Sequence, residues 1–130
     1  MNLIKDFGKF NIWNEEVIEA GNNALERIFE SDESSKIAVI VDRIADDYHI
    51  SDRDIYIYNT YTDALGTINR YEYLNGVGVT VYEIDRSGYT HMMIKCSSST
   101  GYRRLAQPSY TRYEVSNIRN MFDTNAKIYL

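Results

Sequence analysis

Two strand-like segments, VGVTVYEI (residues 77–84) and YTHMMIKC (residues 89–96), flank Asp85-Arg86-Ser87-Gly88, and this arrangement constrains the fold more than any other stretch of the chain. Short runs of this kind on either side of a turn signal read as paired strands. A glycine closing the short connection supplies the positive φ that a tight antiparallel turn needs. A chain holding such a hairpin builds an antiparallel sheet around it, and its helices must cover that sheet.

The clearest helix follows Asn14, a good N-cap, with Glu15 and Glu16 where the helix dipole favours negative charge. Val17, Ala20 or Gly21, Ala24, Leu25, Ile28 and Phe29 form one apolar stripe at three- and four-residue spacing, until SDESS (residues 31–35) breaks it. KIAVIVDRIADDYHI is two-valued. Its mostly β-branched run Ile37–Val41 suits a buried strand, but Ile37, Ile40, Val41, Ile44, Ala45 and Tyr48 continue a helical stripe, so the spacing predicts a helix with Asp42, Asp46 and Asp47 outside. DIYIYNTY predicts a strand, with Ile55 and Ile57 to one side and Tyr56 and Tyr58 to the other. After it, Thr62-Asp63 can cap a short helix closing at Asn75-Gly76, and Ser109 or Thr111 can cap a last helix through Val115, Ile118, Met121 and Phe122. AKIYL adds a closing strand. The expected architecture is α+β: one domain over residues 1–130, with helices packed on a mostly antiparallel β-sheet and a central β-hairpin (residues 77–96).

The single cysteine, Cys96, excludes an internal disulfide, and no apolar run approaches the ~20 residues that span a bilayer. With no leader-like stretch at the N-terminus, the expected location is the cytoplasm, away from membranes. The net charge of −5 conceals an asymmetry: residues 1–65 carry six bases and fourteen acids, residues 66–130 eight bases and five acids.

Chemistry-bearing motifs are scarce. His49 and His91 are the only histidines. His91 and Cys96 stand five apart on one strand, which in regular geometry turns them to opposite faces. Asp46 and His49 share a helical face as two metal ligands, which is short of a site. NGVGVT lacks both the dinucleotide fingerprint and the lysine of a phosphate-binding loop. No catalytic residue, metal or cofactor is expected, and the chain is read as a non-enzyme.

Twelve tyrosines against four phenylalanines and one tryptophan are the compositional anomaly. Tyrosine offers rigid contact area with a polar tip and is enriched at interfaces. If Ile55 and Ile57 face the core, then Asp52, Asp54, Tyr56, Tyr58, Tyr61 and Asp63 form an acidic, tyrosine-rich outer face. Such a face complements a basic nucleic-acid-handling surface on a protein partner. The chain resembles, in kind, the small acidic inhibitors that phages and mobile elements direct at host defence, anti-CRISPR and anti-restriction proteins among them, and toxin-neutralising immunity proteins. The likeness rests on its being short, acidic and free of catalytic motifs. Two other readings stand beside it. Tyr102, Arg103, Arg104, Arg112 and Tyr113 form a basic-aromatic patch able to stack a base or hold a phosphate, as in a nucleotide-binding module. The order helix, helix, hairpin with Arg86 at its tip loosely suits a winged-helix DNA-binding regulator, although the acidic front half works against direct nucleic-acid binding.

Overall fold

The computed structural model describes residues 1–8, 15–45, 50–72, 74–97, 117–122 and 125–130. The elements run β1 (Leu3–Asp6), α1 (Glu15–Ile28), β2 (Lys36–Ile44), β3 (Ile50–Tyr58), α2 (Tyr61–Tyr71), β4 (Val77–Ile84), β5 (Thr90–Ser97), a 3₁₀ turn (Ile118–Met121) and β6 (Ala126–Tyr129). The strands form one six-stranded sheet in the order β1-β6-β3-β2-β4-β5. Among the described residues only β3 and β6 run parallel; the other neighbours are antiparallel. The protein is therefore an α+β fold, its described residues placing two helices on a mixed, mostly antiparallel sheet. Among the described residues no helix is long and apolar enough to cross a membrane.

Strand β2 is the axis of the molecule and corrects the helix expected there. Ile37 to Val41 are all buried, Ala38 to Val41 completely. Their side chains divide between two cores: Ala38 and Ile40 join α1, while Ile37, Val39 and Val41 join α2. A strand covered on both faces reads as an unbroken apolar run, so nothing in it alternates. Ile44 and Ala45, which extended the helical stripe, are only half-buried. Tyr48 and the Asp46–His49 pair lie outside the described residues.

On the first face Val17, Leu25 and Ile28 of α1, with Phe29 just after it, pack on Ile40, Ile55, Ile57, Ile84 and Ile128, with Phe7 and Phe122 beneath. On the second, Ala64 and Ile68 of α2 pack on Ile37, Val39, Val41, Val79 and Val81. Each branched aliphatic or aromatic side chain buried this way contributes about 1.5–3 kcal/mol relative to exposure. The cap of α2 is Thr60, whose hydroxyl accepts from the Asp63 N–H at 3.1 Å, so the helix begins earlier than Thr62-Asp63 and ends at Tyr71, before Asn75-Gly76. The last helix is also corrected. Ile118–Met121 form a 3₁₀ turn capped by Asn117, whereas Ser109, Thr111 and Val115 lie outside the described residues. Strand β1 is an addition that sequence patterning did not suggest.

The hairpin forms as expected. Central in the chain, it is peripheral in the sheet, with β5 outermost. A register shift between Val81 and Tyr82 sets His91 opposite Glu83 and Cys96 opposite Val79, positions of one parity on β4. The backbone pairing thus departs from a regular strand at that point. Four rungs, ~13 Å, still separate the two positions, which keeps them from acting as a pair.

The hairpin turn is locked from outside. Gly88 has φ +89°, and its carbonyl accepts the Ile118 N–H at 2.7 Å. The Ser87 carbonyl accepts from Asn117 Nδ2 at 3.1 Å and Arg119 Nη1 at 2.6 Å, and Arg119 Nε reaches Asn22 of α1 at 2.8 Å. A Cβ on Gly88 would meet Asn117 Oδ1 at 2.6 Å. Gly88→Ala is therefore expected to cost about 2–3 kcal/mol in urea unfolding, the left-handed backbone alone costing ~1–2. Gly66→Ala is the control: no neighbour lies within 4 Å of the added Cβ, so helix propensity should stabilise that variant by ~0.5–1 kcal/mol. Equal effects at the two glycines would refute the lock.

Candidate functional site

Successive side chains of β3 alternate, so Ile55 and Ile57 enter the α1 core while Asp52, Asp54, Tyr56 and Tyr58 share the opposite face. That direction agrees with the sequence reading. The openness of the face does not, because α2 lies across part of it. Tyr56, Tyr58, Tyr61 and Tyr71 are half-buried against the α2 core. Tyr58 hydrogen-bonds through its hydroxyl to Thr67 of α2.

Helix α2 covers β2, β4 and one side of β3. At its margin three rings stand in a row, from Tyr71 of α2 to Tyr56 of β3 and Tyr129 of β6. Tyr56 stacks on Tyr71 at 6.1 Å between centroids and on Tyr129 at 5.0 Å, with interplanar angles of 20° and 18°. The Tyr56 and Tyr71 hydroxyls meet at 3.4 Å. Burial, reinforced by the Tyr71 hydroxyl and the negative charge of Asp54, pushes the Tyr56 hydroxyl far above its ordinary ionisation range. Burial followed by the Asp54 charge raises Tyr129 as well. Tyr56 and Tyr129 therefore stay protonated at neutral pH, which suits contact and hydrogen bonding.

The acids of the face are not alike. Asp54 is buried, and Arg43 Nη1 donates to its Oδ2 at 2.7 Å and to Asp52 Oδ1 at 3.0 Å. Hydrogen bonds to Asp54 first and Asp52 second raise the Arg43 guanidinium above its ordinary range, so it is held charged. One cation thus offsets part of the charge expected on this surface. The Asp52 side chain remains 43% accessible, and Asp63 stands exposed on the first turn of α2. Beside the row, a polar cleft of about 370 Å³ is lined by Asp6, Ser51, Asp52, Asn125 and Lys127. On the far face Arg53 Nε pairs with Asp42 at 2.6 Å and its guanidinium reaches the Met121 carbonyl at 3.3 Å, joining β2, β3 and the 3₁₀ turn.

The structure thus brings Asp52, Asp54, Tyr56 and Tyr58 together and sets Tyr61 and Asp63 at the start of the adjoining helix. Tyr102, Arg103, Arg104, Arg112 and Tyr113, the alternative ligand patch, lie outside the described residues. Three members of the face escaped the sequence reading, Arg43, Tyr71 and Tyr129. Arg43 follows Val39 and Val41 at two-residue spacing, a signal visible only once residues 36–44 are read as a strand. Tyr129 reaches Tyr56 through the parallel pairing of β3 and β6, which no local pattern encodes.

Fold and face together define an α+β domain whose sheet is roofed by a helix on each side, the second roof stopping short of β6 and β1. No protein-family model, curated protein or solved structure matches the chain.

Proposed function

We propose that the chain is a non-enzymatic protein-binding inhibitor whose tyrosine-rich face, with Asp52, Asp54, Tyr56, Tyr58, Tyr61 and Asp63, occupies a basic surface of a nucleic-acid-handling enzyme. The observation that supports this reading is the row Tyr71–Tyr56–Tyr129, three stacked rings held rigid at the margin of α2. Rings fixed in advance lose little side-chain freedom on binding, and aromatic anchors dominate interface energetics. Since Arg43 offsets Asp54, contact area carries most of the affinity, while Asp52 and Asp63 steer the approach of a basic partner. In cells the role that fits is anti-defence, blocking a host enzyme in the manner of an anti-CRISPR or anti-restriction protein.

The test is capture by the tagged full chain from nuclease-treated bacterial lysate, followed by inhibition assays on the purified enzyme retained. A single nucleic-acid-handling enzyme should be held. Tyr129→Ser should weaken binding by about 2 kcal/mol, roughly 30-fold, and Asp52→Asn with Asp63→Asn should slow association chiefly at low salt. Retention of nucleic acid alone, or of the same proteins by the wild type and both variants, would overturn the proposal.

A further inference from the structure

We propose that two copies of this chain pair edge to edge through β1, in the antiparallel register that sets Leu3 against Leu3 of the second copy. The backbone provides the first argument. Asn2 and Leu130 exchange both hydrogen bonds, at 3.0 and 2.9 Å, and Leu3 and Tyr129 form the next pair. In an antiparallel ladder the residue after such a bonded pair directs its N–H and C=O to the other side. The backbone groups of Leu3 therefore point away from β6, and among the described residues no strand lies beyond β1. A two-fold axis normal to the sheet at Leu3 makes each copy supply what the other offers, two N–H···O bonds between one residue and its counterpart.

The second argument is apolar continuity. Leu3 lies in line with Tyr129, Tyr56, Val39 and Val81 across successive strands. Along that line the inner members are buried or half-buried, while Leu3 is 50% exposed. Met1 at 57% and Leu130 at 38% are exposed at the same corner. The two-fold sets Leu3 on Leu3 and carries the line unbroken into the second copy, removing the most anomalous exposed aliphatic of the sheet from water.

The third is charge. Between β1 and α1 runs a cleft of about 350 Å³, floored by Ile4, Ala20 and Ala24 and carrying both signs of charge, Glu16 and Glu19 with Lys5 and Arg27. An isologous interface must be complementary to itself, and a rim with two acids and two bases can meet its own copy without net like-charge repulsion. Against the pairing stand the shortness of β1 and its bulge between Leu3 and Lys5, features that discourage edge association. They confine the contact to the stretch around Leu3 and make the dimer weak. The axis also presents both tyrosine rows on the same side of the joined sheet, giving a bivalent surface. The dimer does not depend on the inhibitor reading.

Sedimentation velocity on the full chain should show a dimer dissociating as the sample is diluted through roughly 10 μM, the range of small interfaces. Leu3→Lys should be monomeric throughout with an unchanged thermal midpoint. Leu3→Cys with Cys96→Ser should form an intermolecular disulfide under mild oxidation, because Cα atoms in a hydrogen-bonded pair lie ~5.5 Å apart, within disulfide reach. Asp63→Cys with Cys96→Ser, on the outer turn of α2, should not. A wild-type chain that stays monomeric at about 500 μM overturns the proposal, as does a Leu3→Lys variant that dimerises like the wild type.

Discussion

Phe122→Ala is expected to lower the stability of the fold by about 3–5 kcal/mol, read as a shift of the urea midpoint with an unchanged slope. Phe122 ends the 3₁₀ turn, is 1% exposed and stacks on Phe7 at 5.3 Å between centroids, almost parallel at 14°. Its ring edge also meets α1 where that helix has no side chain: a Cβ on Gly21 would stand 3.2 Å from Phe122 Cδ2. The glycine lets helix and aromatic pair approach closely, and truncating the ring leaves a cavity bordered by Phe7, Gly21 and Met121 that rigid neighbours only partly fill. Phe122→Leu keeps most of the volume and should cost under about 1.5 kcal/mol. Gly21→Ala provides a coupled check. In the wild type the new methyl presses on the ring and offsets the helix-propensity gain, whereas in Phe122→Ala it occupies vacated space and should recover ~1 kcal/mol. Additive effects of the two substitutions would show that they do not meet.

The elements whose partners lie close in sequence were legible, and those fixed by the third dimension were not. α1 buries one stripe against one surface, so a 3.6-residue period marks it. β4 and β5 are joined by a turn whose glycine is needed for its backbone angle, so two strand-like runs and the turn chemistry between them agree. β2 fails because both of its faces are buried: Ala38 and Ile40 serve one core, Val39 and Val41 the other, and the alternation that identifies a strand vanishes. Once β2 is read as a helix, the rest of the face misreads in turn. Arg43 no longer sits across from Asp52 and Asp54, and α2 has no second core to cover, so Tyr56 and Tyr58 are expected in open water. The sequence showed which way those tyrosines turn, because β3 alternates. It could not show that α2 roofs them or that the C-terminal Tyr129 completes the row, since the parallel contact of β3 with β6 joins segments some seventy residues apart.

Tyr56→Ala is therefore expected to cost stability as well as binding, by about 2–3 kcal/mol, less than a fully buried aromatic because the ring is half-buried. The loss comes from its place in the row: both ring contacts, with Tyr71 and Tyr129, and the hydroxyl contact to Tyr71 go with it. Tyr56→Phe keeps both stacks and should cost under about 1 kcal/mol at neutral pH, the worth of one long hydrogen bond. Alkaline pH separates the two roles of the side chain. Folding raises the Tyr56 hydroxyl above its ordinary value of 10.0, chiefly by burial, so below pH 10 both folded and unfolded chains keep the proton and stability is unaffected. Above that value the unfolded chain ionises first, and stability falls with rising pH until the folded phenol also gives up its proton. Tyr129, raised in the same direction, adds to the slope. Urea unfolding from pH 8 to 11.5 should show a steep loss above about pH 10 in the wild type, a shallower one in Tyr56→Phe, and the shallowest in Tyr56→Phe with Tyr129→Phe. Parallel curves for the three proteins would mean that neither phenol is held from water by the row. Tyr56→Phe is accordingly the variant for asking what the face binds, because it keeps the stacked surface at small cost to the fold, whereas the alanine variant confounds a lost contact with a lost structure.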